Sequence, residues 1–234
     1  MTARIIHGDA LETLDRLIDE GARFDAILTD PPYCSGGMTM SERKRATTLK
    51  YYEAPAAGNI DYDDAQDQVA FAFTLRSLFT RSKRLLNEAG YVFCFCDWRQ
   101  IPVVSTAFQS AGLLWRGVIS WDKGNARPNK GTFTPLCEFI VWGTRGAGKS
   151  EKFGRGLIKA APPASAQRVH QSEKPVELLI ELLKILPDGA RSVLDPFAGS
   201  GTVGCACARL GLDFTGVEIN EHYASVAKTR LGVV

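Results

Sequence analysis

Several shortages in this 234-residue sequence each remove a class of protein. No apolar run approaches the roughly 20 residues that a bilayer span needs. The opening MTARIIHGDAL lacks the apolar core of a secretory leader. A membrane protein is therefore not expected, and the expected compartment is the cytoplasm. Histidine is scarce, at three residues, and cysteine numbers six. Cys94 and Cys96 stand two apart, as do Cys205 and Cys207, which is not the spacing of structural zinc sites. With no histidine close to either pair, the cysteines read as small buried hydrophobes in a reducing compartment. Neither a metal nor a disulfide is expected. Net charge is almost absent as well, at +2.

The charge that is present is unevenly spread. From Trp115 to His170 ten Lys and Arg face three acids, a local excess of +7. Arg43, Lys44, Arg45 and Lys50 crowd a second stretch, and Glu53 to Asp67 is acidic. Both basic stretches fall where apolar periodicity is weak, residues 34–59 and 143–169, which points to a polyanion partner. The residues expected to meet it are Arg43, Lys44, Arg45, Lys123, Arg127, Lys130, Arg145, Lys149 and Lys152.

The length suits one domain. Strand-like runs at Arg4–His7, Phe24–Thr29, Gly90–Cys96, Arg191–Leu194 and Phe214–Val217 alternate with helical patterns at Ala10–Ile18, Gln66–Leu86, Ile101–Ala111, Pro175–Leu186, from Thr202, and Asn220–Arg230. That alternation predicts an α/β doubly wound, mostly parallel sheet. Leu113–Trp121 and Leu136–Trp142 have no helix between them, so an antiparallel edge is expected there.

Three local patterns carry chemistry. Gly199-x-Gly201-x-x-Gly204 follows a strand and opens a helix, so the chain turns tightly and a cofactor can approach the backbone. Glu218 lies 19 residues after Gly199, at the end of the next strand, where an acid can accept hydrogen bonds from both ribose hydroxyls. An adenosine-bearing cofactor follows. A dinucleotide fits less well, because only 30 residues follow Gly204 and Asp195-Pro196-Phe197 delays the glycines.

Gly143-Thr-Arg-Gly-Ala-Gly-Lys-Ser150 matches a phosphate-loop pattern literally, and an NTPase is the competing reading it raises. A phosphate loop must open a helix whose amides hold the phosphates. Gly154, Gly156, Pro162 and Pro163 crowd the span that helix would occupy, so Arg145 and Lys149 read instead as polyanion contacts on a loop.

Asp30-Pro31-Pro32-Tyr33 closes an apolar strand. The following proline keeps Asp30 extended, and the two prolines stiffen the turn while offering carbonyls without amide donors. Asp30 and a proline carbonyl make a rigid acceptor pair beside the flat face of Tyr33. A planar base bearing an exocyclic amine suits that pair.

Taken together these residues resemble the DNA amino-methyltransferases. Asp30-Pro31-Pro32-Tyr33 is similar to their catalytic motif, and Asp195-Pro196-Phe197-Ala198-Gly199-Ser200-Gly201-Thr202 to their cofactor motif. The order, catalytic motif first, matches the β-class permutation, and His170-Gln-Ser-Glu-Lys174-Pro175 resembles a third element of that class. The resemblance implies a circularly permuted, Rossmann-like methyltransferase fold in one catalytic domain, with S-adenosylmethionine as cofactor and double-stranded DNA as partner. It implies cofactor contacts from Asp9, Ala10, His170, Lys174, Asp195, Phe197, Gly199, Ser200, Gly201, Thr202, Glu218 and Asn220. Residues 34–59 become a loop over the DNA, and 143–169 a short target-recognition segment. Members often dimerise, so a homodimer is possible. An Asp at the head of the catalytic motif favours N6 of adenine, with N4 of cytosine as the alternative. A non-catalytic DNA-binding module and methylation of protein glutamine fit less well, the latter because its motif usually follows the cofactor motif.

Overall fold

The computed structural model describes residues 1–32, 68–124, 128, 130–131, 133–148, 150–163 and 173–233. Along them run β1 (Ala3–His7), α1 (Ala10–Asp19), β2 (Phe24–Thr29), α2 (Gln68–Leu85), β3 (Leu86–Cys96), α3 (Ile101–Ser110), β4 (Leu114–Asp122), β5 (Cys137–Thr144) and β6 (Leu157–Lys159). The chain continues through α4 (Val176–Leu183), β7 (Ser192–Asp195), α5 (Thr202–Leu210), β8 (Asp213–Glu218) and α6 (Glu221–Leu231).

The strands of the described residues form one sheet in the order β1-β8-β7-β2-β3-β5-β4-β6. β2 and β3 read as near-continuous apolar runs because both of their faces are covered. Ile27, Val92, Cys94, Leu194 and Val217 point to one face, where Leu14, Leu17, Phe71, Leu75, Phe79 and Phe108 of α1, α2 and α3 pack. Ala26, Leu28, Phe93, Phe95, Val193 and Phe214 point to the other, against Leu178, Leu182, Val203, Cys207 and Ala227 of α4, α5 and α6. Successive residues facing opposite sides are the period of a strand, so each layer reads the same strand at alternate positions.

Direction matters more than order for the site. β1, β8, β7, β2 and β3 are mutually parallel, so His7, Glu218, Asp195, Thr29 and Cys96 end at one edge of the sheet. β5 runs antiparallel to both β3 and β4, and it therefore begins, with Cys137 and Glu138, at that same edge. A doubly wound, largely parallel sheet is what the sequence pattern predicted, and the antiparallel β4–β5 pair is present. The edge itself is different: β6 lies outside β4 and pairs parallel to it, Ser120 with Leu157 through Asp122 with Lys159. Three residues between Gly156 and an Ala-Ala-Pro-Pro run are too short to show a period, which is why residues 143–169 read as irregular throughout.

The glycine turn divides its labour. Gly201 and Gly199 have left-handed φ of +81° and +51°, which disfavours side chains, and a Cβ on Gly199 would meet nothing within 4 Å. Gly204 serves packing instead. A Cβ there would sit 2.6 Å from Leu231 and 2.8 Å from Phe214, where α5 closes on α6 and β8. Gly204→Ala is therefore expected to lower stability by about 1–3 kcal/mol through overpacking, measurable as a reduced midpoint of denaturant unfolding.

Candidate active site

Asp30 stands just past the end of β2, on the carboxyl edge of the sheet, where open α/β sheets place their ligands. Its Oδ2 accepts from Lys174 Nζ at 2.6 Å, while its Oδ1 is buried with no hydrogen-bond partner among the described residues. A buried carboxylate oxygen left without a donor is costly, and such an atom marks a place where a donor from outside belongs. Lys174 also lies 3.6 Å from Glu138 Oε2 on β5, and Glu138 Oε1 lies 3.3 Å from Lys123 Nζ. Four charges of alternating sign thus run along the edge from β2 to β4. Burial alone would push the Lys174 ammonium down, but Asp30 and Glu138 together outweigh it and hold it above its usual range. The ammonium also sits 5.2 Å over the ring of Phe95.

On the adjacent strand β7 the glycine turn is tied to its neighbours. Glu218 Oε2 accepts from the Gly199 amide at 2.8 Å, and its Oε1 from the Asn220 amide at 2.8 Å. Those bonds fix the carboxylate at the mouth of the turn and leave its other lone pairs for hydroxyl donors. Asn220 caps α6 through the Tyr223 amide, and Asp9 caps α1, its Oδ1 accepting from the Glu12 amide at 3.0 Å. Ser200 and Thr202 are buried, and both accept from Arg230 of α6, at 3.5 and 3.4 Å. Arg230 pairs in turn with Glu173 at 2.7 Å, whose side chain is only 4% exposed.

Asp195 is buried at the end of β7, with Oδ1 accepting from the Phe197 amide at 3.0 Å. Burial, with the nearby charges of Asp30 and Glu218 adding to it, pushes its carboxyl up to about 8. A neutral Asp195 spares this edge a third negative charge between two carboxylates.

The structure thus brings Asp30, Pro31, Lys174, Asp195, Phe197, Gly199, Ser200, Gly201, Thr202, Glu218, Asn220, Asp9 and Ala10 to one edge of the sheet. Lys174 meets Asp30 rather than the glycine turn. Tyr33, Arg43, Lys44, Arg45, Arg127, Lys149 and His170 lie outside the described residues, as does all of 34–59. Of the expected DNA contacts, Lys130 is exposed in the link between β4 and β5, and Lys123 does stand at the site edge, beside Glu138. Arg145 and Lys152 do not. Arg145 follows β5 at the opposite end, donating to the carbonyls of Lys83 and Leu86 and pairing with Glu88. Lys152 pairs with Asp188 in the turn before β7. Both therefore serve the far end of the sheet, because β5 runs backwards and carries residues beyond Thr144 away from Asp30. The phosphate-loop pattern fails for the same reason. Its Gly146 carbonyl turns inward to accept from the Thr144 hydroxyl and Arg116, and residues 150–156 open no helix.

Sequence reasoning passed over Glu138, Glu173, Arg230 and Lys159. Glu138 had a signal, a lone acid inside the apolar strand CEFIVWGT, where an unpaired charge is not tolerated. Arg230 had none, since its partners are 28 and 30 residues away in sequence.

A permuted Rossmann-like sheet, with an acid-anchored glycine turn and a carboxylate acceptor on neighbouring strands, defines the class of S-adenosylmethionine-dependent methyltransferases. Comparison with known proteins narrows the class. The DNA methylase family profile for N6 and N4 amino-methyltransferases matches residues 24–162 and 148–229. The chain is 25% identical over 248 residues to the Type II methyltransferase M2.DpnII of Streptococcus pneumoniae, covering 97% of this chain and 88% of the relative. The crystal structure of the M1.HpyAVI–SAM complex superposes with a TM-score of 0.75 at 26% identity, covering 99% of this chain and all of that one. The cytosine-N4-specific PvuII DNA methyltransferase shares the fold, with a TM-score of 0.71 at 15% identity over 98% of this chain and 86% of that one. The chain belongs to the N6/N4 DNA methylase family. It is a DNA methyltransferase that uses S-adenosylmethionine.

The protonation of Asp195 has a measurable consequence. Its folded-state value of about 8 lies above the ordinary 3.8, so the folded chain holds a proton that the unfolded chain has lost. The contribution of Asp195 to stability therefore falls as pH rises from about 4 to about 8 and is level outside that window. Asp195→Asn is expected to lose less stability than the parent between pH 5 and pH 8, read by denaturant unfolding at the two pH values.

Proposed function

We propose that this DNA methyltransferase acts on the exocyclic N6 of an adenine extruded from duplex DNA. The observation that carries the reading is the Oδ1 of Asp30, buried and without a partner among the described residues at the end of β2, while Lys174 holds Oδ2. A base inside the stack cannot reach such an atom, so the target leaves the helix. Asp30 Oδ1 and the Pro31 carbonyl accept the two amine hydrogens and draw the nitrogen lone pair out of ring conjugation. Tyr33 offers the stacking plate for the base. When bound, S-adenosylmethionine supplies an electrophilic methyl on a positively charged sulfur, which leaves with the bonding pair as a neutral thioether. Holding the amine about 3–3.5 Å from that methyl supplies much of the rate by orientation alone.

The cofactor half follows from the glycine turn. The open space over Gly199 lets a ligand lie against the backbone, and Glu218, anchored by two amides, receives the ribose hydroxyls. Asp9 and Ala10 flank the adenine end, with Phe197, Ser200, Gly201, Thr202 and Asn220 completing the cradle and His170 closing it. We place the enzyme in the cytoplasm, as one catalytic domain that can pair with a second copy. Asp rather than Ser at the head of the catalytic motif favours adenine over N4 of cytosine, following the resemblance to the family.

Incubation with duplex DNA and methyl-labelled cofactor, followed by digestion to nucleosides, is expected to yield N6-methyladenine. N4-methylcytosine alone overturns the adenine assignment. Asp30→Ala is expected to lower kcat by ~10²–10³-fold, the scale of losing a preorganised electrostatic group, while calorimetric binding of the cofactor persists.

The DNA surface is assigned to the site edge, where Lys123, Lys130 and Lys159 gather near the end of β4. Neutralising Lys130 and Lys159 is expected to reduce the slope of log affinity against log salt by about 0.9 for each phosphate left without its cation. Lys152→Ala, at the other end, is expected to leave that slope unchanged.

A further inference from the structure

Asp30 stands among groups that oppose its charge. It bears on Asp195 and on the thiols of Cys94 and Cys96, all of which it makes harder to ionise. Glu138 adds a second carboxylate on the far side of Lys174, and Asp97, beyond Lys123, a third. Among the described residues, the cation paired with Asp30 is Lys174, which is itself almost wholly buried. Asp30 is only partly buried, but its Oδ1 is enclosed, and the acids and thiols around that atom oppose a negative charge there. A protonated Asp30 has lost the negative charge that draws the amine's hydrogens, and its own proton competes for the same place.

Lys174 is fixed from two directions. Its neighbour Glu173 is clamped by Arg230 and lies 3.5 Å from the Thr202 hydroxyl, on the cofactor turn. Pro175, next in sequence, is the N-cap of α4 and sets the chain direction there. Its ammonium then spans Asp30 of β2 and Glu138 of β5, with Lys123 balancing Glu138. Two positive and two negative charges close the row without excess around the buried Lys174 ammonium.

We propose that Lys174 is the positioning residue that keeps Asp30 ionised and aimed at the target amine, and that Glu138 is the residue that holds Lys174 there. This rests on the amine-methylating reading above. It extends the catalytic apparatus to an acid on the reversed strand β5 that belongs to none of the three motifs. Chemically, the pair Lys174–Asp30 stays an ion pair through the reaction. Lys174 gives up no proton, and the proton shed by the methylated amine leaves to solvent.

The test is the pH dependence of kcat in two variants whose charges change in opposite senses. Lys174→Met keeps the length of the side chain and removes the cation. Its acidic limb is expected to move up by about one to three pH units, the range by which an adjacent cation shifts a carboxyl. Glu138→Gln keeps the shape and releases Lys174 from its second anchor, so its limb is expected to move up by less than that of Lys174→Met, with a smaller fall in kcat. Because Glu138 acts through Lys174, the double variant is expected to be no worse than Lys174→Met alone. Lys174→Arg is expected to restore the position of the limb in part. Cofactor affinity by calorimetry is expected to remain within threefold for each variant, which also reports that it is folded. Should Lys174→Met fail to bind cofactor, the Glu138→Gln limb decides the matter by moving up. Unchanged pH profiles, or a Glu138→Gln limb that moves down as the bare loss of an anion would move it, overturn the proposal. A parent enzyme that methylates no DNA overturns the amine-methylating reading instead.

Discussion

The contact on which the site depends is the one between Lys174 and Asp30, at 2.6 Å. Asp30 comes from the end of β2 and Lys174 from the approach to α4, 144 residues later. Their meeting joins the two parts of the chain that any amine methylation here needs. The residue before Lys174 reaches the other way, through Arg230 and Thr202, to the cofactor turn. Two adjacent side chains therefore bracket the acceptor and the cradle, and the backbone between them sets how far apart the halves sit. That distance decides whether nitrogen and methyl can meet, and misplacement by about 1 Å costs such a reaction heavily.

The cofactor half shows a similar economy. Glu218 is useful only if its oxygens face the turn, and it is the Gly199 and Asn220 amides that hold them there. Gly199 contributes by having no side chain in the open space above it, whereas Gly204 contributes by letting α5 close on Phe214 and Leu231. One glycine makes room for a ligand and the other for a helix. Asp195, between them and Asp30, stays neutral because its burial leaves no water to support a charge. The edge can thus hold Asp30 and Glu218 on either side of it without a third negative charge between them.

What was legible in the sequence was whatever depends on local chemistry. The Asp30 turn, the glycine turn and Glu218 each combine a strand end with residues chosen for backbone geometry, and both features survive in a one-dimensional reading. The mostly parallel sheet was legible from the alternation of strands and helices. Partnership was not. Lys174 read as a cofactor contact because its neighbours in sequence resemble one, yet the side chain crosses to β2. Arg145 and Lys152 read as DNA contacts because basic residues cluster there, yet the direction of β5 carries them to the far end, where Glu88 and Asp188 take them up. A run of charge says how much, and only the sheet says where. β6 escaped notice because a three-residue strand has no period to detect.

The reversed strand explains more than these misplacements. In an all-parallel sheet only carboxyl ends reach the ligand edge, and each carries a loop that must turn at once into a helix. β5 instead begins at that edge, so its first residues, Cys137 and Glu138, stand beside the ends of β3 and β4 inside regular structure. A side chain held on a strand is more narrowly placed than one on a loop. Glu138 is therefore positioned by the ladder itself, with Trp121 opposite it on β4 and Phe139 paired to Cys96 on β3. The same reversal sends residues beyond Thr144 to the opposite end, where Arg145 ties the β5 exit to the carbonyls at the start of β3. A single antiparallel strand thus does two things at once. It brings an anion to the row of charges around Asp30, and it takes a basic turn away from it.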